Sequence, residues 1–128
     1  MKGLDTNIIL RWLIHDEANV DQSERAAGIV SEGDNHLSAV ALSEVIWVLE
    51  RTYRFKNDEI QSVVAALLDV STLQVENRVL VGEALAEHAR HGGGLNDHII
   101  AAHDRAAGCD YTLTFDRAAA RSARFKLV

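Results

Sequence analysis

Short apolar runs alternate along this chain with longer stretches in which apolar residues recur every three or four positions. That alternation restricts the chain to folds in which parallel strands are joined by covering helices, because consecutive parallel strands need a crossover of a dozen residues or more. Lys2–Asp5 reads as a strand running into a helix, Asn7–His15, with Ile8, Ile9, Trp12 and Leu13 on one side. Asp21 is placed to cap a second helix that reaches Glu32 and stops at Gly33. A strand around His36–Ser38 leads to a helix whose stripe is Val45, Ile46, Val48, Leu49 and Tyr53. Asn57 is placed to cap the next, with Ile60, Val63, Val64, Leu67 and Leu68 at helical spacing. Leu73–Val75 reads as a strand and Asn77–His91 as a helix. Asn96 then opens a helix with Ile99, Ile100 and Ala102 inward, stopped by Gly108. Tyr111–Phe115 is a strand, Asp116–Ala123 a short helix and Phe125–Val128 a last strand.

Five strands in 128 residues predict one α/β domain over residues 1–128, a three-layer α/β/α sandwich around a five-stranded parallel sheet. There is no proline, and the only glycine cluster is Gly92–Gly94, so nothing marks a linker. One cysteine, Cys109, allows neither an internal disulfide nor a thiolate metal cage. With no apolar run of about 18 residues, the sequence predicts a soluble, cytoplasmic protein without a membrane partner. Nineteen Asp and Glu against 13 Lys and Arg give a net charge of −6, which at face value opposes nucleic acid as a partner. Where the acids sit decides whether that holds.

Most carboxylates lie in polar company, as in Asp16-Glu17 and Asp58-Glu59, and read as solvated helix faces. Four have apolar flanks. Asp5 follows Gly3-Leu4 and Asp116 follows Leu113-Thr114-Phe115, both at carboxyl ends of predicted strands, where open parallel sheets bind their ligands. Glu44 and Asp97 are expected near helix starts. Singly, Asp5 and Asp116 also read as helix N-caps, and Glu44 and Asp97 as partners of a helix dipole. Taken together at one edge without a matching basic cluster, they call for a divalent cation. Oxygen-only ligands suit Mg²⁺ or Mn²⁺, which serve phosphodiester chemistry.

These residues resemble those of PIN-domain ribonucleases, and within them the VapC toxins of bacterial toxin–antitoxin pairs. The resemblance runs from Leu4-Asp5-Thr6-Asn7 through Leu42-Ser43-Glu44-Val45-Ile46-Trp47 and Asn96-Asp97-His98-Ile99-Ile100 to Leu113-Thr114-Phe115-Asp116-Arg117. It implies a PIN-like fold in which Asp5, Glu44, Asp97 and Asp116 converge as metal ligands and catalytic residues. Asp5 and Asp97 would be principal, Glu44 and Asp116 completing the site, with Asn7 and Thr114 supporting the acids. It further implies an Mg²⁺- or Mn²⁺-dependent endoribonuclease, an RNA substrate, a homodimer and inhibition by a cognate VapB-type antitoxin. His98 stands where the family commonly has a small or apolar residue. Setting the four acids aside leaves 15 against 13 bases, so the negative charge belongs mostly to the site.

Other residues carry plainer readings. His88 and His91 lack a third ligand and read as surface histidines, and His103 as a core histidine bonded to backbone. Gly92–Gly94 lacks the Lys-Ser/Thr of a phosphate loop and reads as a flexible connector. Trp12, Trp47, Tyr53 and Phe55 read as core or dimer packing. Arg11, Arg51 and Arg117 are candidates for RNA contact, against solvated helix faces as the plain alternative. Two competing functions are a PIN-fold binding protein without catalysis and a receiver-type phospho-acceptor domain. The intact acid set opposes the first. The second lacks paired acids after the first strand, and Lys126 is its only late lysine.

Overall fold

In the computed structural model, which describes residues 1–128, five short parallel strands are interspersed among six helices. The order is β1 (Lys2–Gly3), α1 (Thr6–Leu13), α2 (Val20–Glu32), β2 (Asn35–Leu37), α3 (Ala39–Arg51), α4 (Asn57–Asp69), β3 (Leu73–Val75), α5 (Arg78–His91), α6 (Leu95–Ala106), β4 (Thr112–Thr114) and β5 (Phe125–Leu127). Single 3₁₀ turns lie at Glu17–Asn19 and Ala119–Arg121.

The helices form where spacing and capping agree. In α3, Leu42, Val45, Ile46 and Leu49 fall on one buried face, and the Ser38 hydroxyl caps the Ala41 N–H. The same spacing in α4 buries Ile60, Val64 and Leu67. Three expected caps move. Asn19, not Asp21, precedes α2, with Asp21 in its first turn. The Glu59 side chain closes α4 by accepting from the Lys56 N–H, leaving Asn57 inside the helix. Gly94 precedes α6, because Asn96 is occupied by Ser43, donating to its carbonyl and accepting from its hydroxyl. The predicted helix over Asp116–Ala123 shrinks to the one 3₁₀ turn. Ile100, expected inward, is exposed.

Strand β2 lies between its neighbours: Lys2 and Gly3 pair with Asn35 and His36, and Asn35 to Leu37 pair with Leu73 to Val75. Strands β4 and β5 pair only with each other, Thr112 to Thr114 against Phe125 to Leu127. The α/β architecture with parallel pairing stands, but the single five-stranded sheet is corrected to a three-stranded sheet, β1-β2-β3, and a separate pair, β4-β5. Strand β1 is short. Only two residues pair before Asp5 turns the chain into α1, and that pairing is with β2 alone.

The core divides in the same way. Nineteen buried apolar residues, from Leu4 to Ala102, join the three-stranded sheet to the helices, while Ala101, Ala119 and Phe125 form a small cluster that seats β5 on α6. Asn35, fully buried in β2, shares its two amide hydrogens among the carbonyls of Ile29, Val30 and Thr72, tying the end of α2 to the turn before β3. Trp12, Tyr53 and Phe55 pack on the main core as expected, whereas Trp47 is 53% exposed.

Candidate active site

Two of the predicted acids sit just past strand ends. Asp5 follows β1 by two residues and caps α1, its Oδ1 accepting from the Thr6 N–H at 2.8 Å. Asp116 follows β4 by two residues and accepts with Oδ1 from the N–H groups of Ala118 and Ala119, at 2.7 and 3.2 Å. The Thr114 hydroxyl accepts from the Asp116 N–H at 2.9 Å and so fixes the backbone that presents this acid. The capping reading therefore describes one oxygen of each carboxylate. The other, Oδ2, takes no hydrogen bond from the protein.

Asp97 is the third residue of α6 and half-buried. Its Oδ2 lies over Gly94, where a Cβ would come within 3.3 Å. Burial first, and then the Asp116 charge, push its carboxyl above the ordinary range, with His98 pulling weakly the other way. A carboxylate that sequence reasoning missed joins them. Glu50, in the last turn of α3, is pushed up by burial and by Asp97, against Arg51. It lies outside the four acidic motifs, and nothing in its spacing singles it out.

Glu44 does not start a helix as expected; it stands in the second turn of α3. It lines an open cleft of about 560 Å³ with Val40, Trp47, Ile100, His103 and Asp104, and none of the other three predicted acids borders that cleft. No group of three His, Cys, Asp or Glu side chains is gathered as a ready-made metal cage. The donor chemistry nonetheless fits a hard divalent cation. All donors are carboxylate oxygens, and none of the salt bridges in the molecule reaches Asp5, Asp97 or Asp116.

Comparison with known families decides what this arrangement belongs to: residues 3–125 match the PIN domain. The chain belongs to the PIN-domain family. One relative of this PIN domain, the VapC ribonuclease of Aquifex aeolicus (strain VF5), is 24% identical over 119 residues, covering 91% of this chain and 88% of its own. The family match, over residues 3–125, contains all four predicted acids.

The arginines of the PIN domain fall in different places. Arg11 lines a cleft of about 450 Å³ between α1 and α2 with Asn7, Ile8, Gln22 and Arg25. Its Nε donates to Gln22 at 2.8 Å. Arg51 lies over the Trp47 ring, 5.7 Å from its centre, and Arg117 is exposed beside Asp116. Two further expectations change. His103 is bonded to the Ile99 carbonyl as expected but lines the open cleft instead of the core, and His88 is buried rather than on the surface. The signal was present, since Val81, Ala84 and His88 recur at three and four residues along α5. The Gly92–Gly94 connector is not free either, because both flanking histidines bond its carbonyls.

Proposed function

We propose that this PIN domain is an endoribonuclease of the VapC toxin type, restrained by a cognate VapB-type antitoxin and acting in the cytoplasm as a homodimer. The observation that carries the reading is the Asp97 carboxyl, half-buried over Gly94, opposed by the charge of Asp116 and paired with no lysine or arginine. Such a site is unstable in its charge until a cation enters, and the family match gives that cation a purpose. Asp5, Asp97 and Asp116 would hold Mg²⁺ or Mn²⁺, which when bound supplies the Lewis acidity for hydrolysis of an RNA phosphodiester, and Glu44, which lines a separate cleft, would complete the site through water.

The remaining residues bind and orient. Thr114 anchors the backbone of Asp116, and Asn7 stands at the lip of the α1–α2 cleft. Arg11 and Arg25 line that cleft, paired at its edge with Asp16 at 3.9 Å and Asp21 at 3.3 Å, and both can turn to the phosphates of the strand next to the scissile bond. Arg117 and Arg51 add positive charge near Asp116 and at the end of α3. The same arginines and acids present an antitoxin with a site of mixed charge. No helix is long and apolar enough to cross a membrane.

The test is cleavage of total RNA by purified protein with Mg²⁺ or Mn²⁺, with EDTA, and with Asp97→Asn. The expected result is cleavage that EDTA abolishes reversibly and that Asp97→Asn loses by a hundredfold or more. Cleavage that persists in EDTA, or an Asp97→Asn variant as active as the parent, refutes it.

A further inference from the structure

Two buried histidines have no part in the chemistry above. His88, near the end of α5, and His98, in the first turn of α6, are 3% and 0% exposed, and their rings meet edge-on with centres 5.9 Å apart. His88 Nε2 lies 3.0 Å from the Gly93 carbonyl oxygen, and His98 Nε2 lies 2.7 Å from that of Gly92. A carbonyl only accepts, so each Nε2 carries the hydrogen and each Nδ1 is a bare acceptor. Both Nδ1 atoms are buried without a partner. A leucine would fill the same space without stranding a polar atom, so packing alone does not account for imidazole at either position.

The loop they hold lies between the two coupled acids. Gly92 and Gly93 have φ of +70° and +80°, a conformation that glycine adopts at no steric cost but does not enforce. A Cβ on Gly93 would touch the Ala118 carbonyl carbon at 3.6 Å and the Ala119 nitrogen at 3.7 Å, so this glycine rests on the turn that Asp116 caps. Gly94 lies under the Asp97 carboxylate. The loop is thus the spacer between Asp97 and Asp116, and its own backbone does not define its shape.

We propose that His88 and His98 clamp the Gly92–Gly94 loop and so set the separation of the Asp97 and Asp116 carboxylates, making both histidines positioning residues of the nuclease site. The clamp rests on reading those two acids as site residues. It works through donated hydrogen bonds from both sides of the loop, one from the helix that enters it and one from the helix that leaves it. His98 also meets the Phe125 ring edge-on, 6.0 Å between centres, which ties the loop to β5.

The test compares the parent with His98→Leu, His98→Gln and His88→Leu, all in the full chain. Glutamine keeps an N–H donor at similar reach; leucine keeps only volume. Mn²⁺ affinity is read by calorimetry, kcat and KM on RNA by steady-state cleavage, folding by thermal melting, and ring tautomers of the parent by long-range proton–nitrogen NMR. Both leucine variants are expected to melt as folded proteins, to bind Mn²⁺ tenfold or more weakly and to lose kcat with KM little changed. His98→Gln is expected to recover most of both losses. Nε2–H tautomers are expected at both rings. Folded leucine variants with parental Mn²⁺ affinity and kcat overturn the clamp, as does a glutamine variant no better than leucine, or an Nδ1–H tautomer at either ring. If a leucine variant does not fold, the glutamine variant and the tautomers decide. A parent protein that neither binds Mn²⁺ nor cleaves RNA overturns the site reading itself, a result distinct from failure of the clamp.

Discussion

Removing the Glu87 carboxylate should unseat the β4–β5 pair from the rest of the molecule. Glu87, buried on α5, accepts a hydrogen bond from the buried Ser122 hydroxyl at 3.0 Å. Arg124 Nε stands 3.7 Å from it, with His91 and Arg90 at 3.4 and 3.5 Å. Ser122 and Arg124 flank the entry to β5, so this one acid ties the strand pair to α5. In Glu87→Ala the serine loses a charged acceptor, worth about 1.5–3 kcal/mol. Arg124, mostly buried and with one guanidinium nitrogen already unpartnered, is left without its counter-charge. Arg90 is largely exposed and adds little. Because the partners share one carboxylate, their costs do not add, and the whole should come to about 3–4 kcal/mol, the usual cost of stranding one side of a buried ion pair. For a chain this size that is a fall in Tm of roughly 10–15 °C. Glu87→Gln keeps an acceptor for Ser122 and should lose about half as much. Burial disfavours the charged form of Glu87, but Ser122 and the charges of Arg124, His91 and Arg90 outweigh it and hold the carboxyl below its ordinary value. Its contribution is therefore complete above the unfolded value and drains away as pH falls through the folded one. The gap between parent and Glu87→Gln should narrow steadily below the ordinary value of 4.5. Urea unfolding between pH 3 and 7 reads both effects. A Glu87→Ala protein melting within about 3 °C of the parent at pH 7 would refute the reasoning.

Further outcomes follow from the site. Asp97→Asn should stabilise the metal-free protein by up to about 1 kcal/mol at pH 7, since it relieves burial and repulsion in a partly solvated group, and the gain should vanish as acid protonates the parent carboxyl. Calorimetric melting in EDTA checks this, and a destabilised variant contradicts it. Glu44→Gln should weaken metal-dependent cleavage less than Asp97→Asn does, because Glu44 lines a separate cleft, and a loss as deep would place it directly on the cation; Glu50→Gln should make the Asp97 carboxyl more acidic, as NMR titration would show. Arg11→Ala with Arg25→Ala should raise KM for RNA severalfold with kcat little changed, and should flatten the salt dependence of binding.

Much of this was readable from residue spacing. Ile60, Val64 and Leu67 declare their helix because burial of one face imposes a three-and-four rhythm, and they do so whatever the rest of the chain does. Asp5 and Asp116 were singled out for a similar reason, since each stands where an apolar run stops, and Asp97 because it stands where a helix begins. The split sheet was not legible. Whether β1 pairs with β4 depends on residues more than a hundred positions apart and on how soon Asp5 turns the chain, neither of which leaves a periodic trace. Glu50 was not legible because its burial comes from tertiary packing, which leaves no mark in the spacing. His88 was concealed by residue type, since a histidine on an apolar stripe reads as polar until its neighbours are counted. Glu44 was expected with the other acids because motif order carries no information about which side of a helix looks toward them.

Asn35 gives the molecule a chemical lifetime as well as a shape. Its amide hydrogens are shared among three converging carbonyls, and its own oxygen, Oδ1, is buried without a partner. Hydrolysis of that one amide to a carboxylate would remove both hydrogens and turn an oxygen's charge on three carbonyl dipoles in a site closed to water. The three-stranded sheet would then be opposed from within by the residue that now ties it. Deamidation at most asparagines is a surface blemish, but at this one it is a route to irreversible unfolding. Ageing of the protein should therefore register first as a gain of one negative charge in the unfolded fraction.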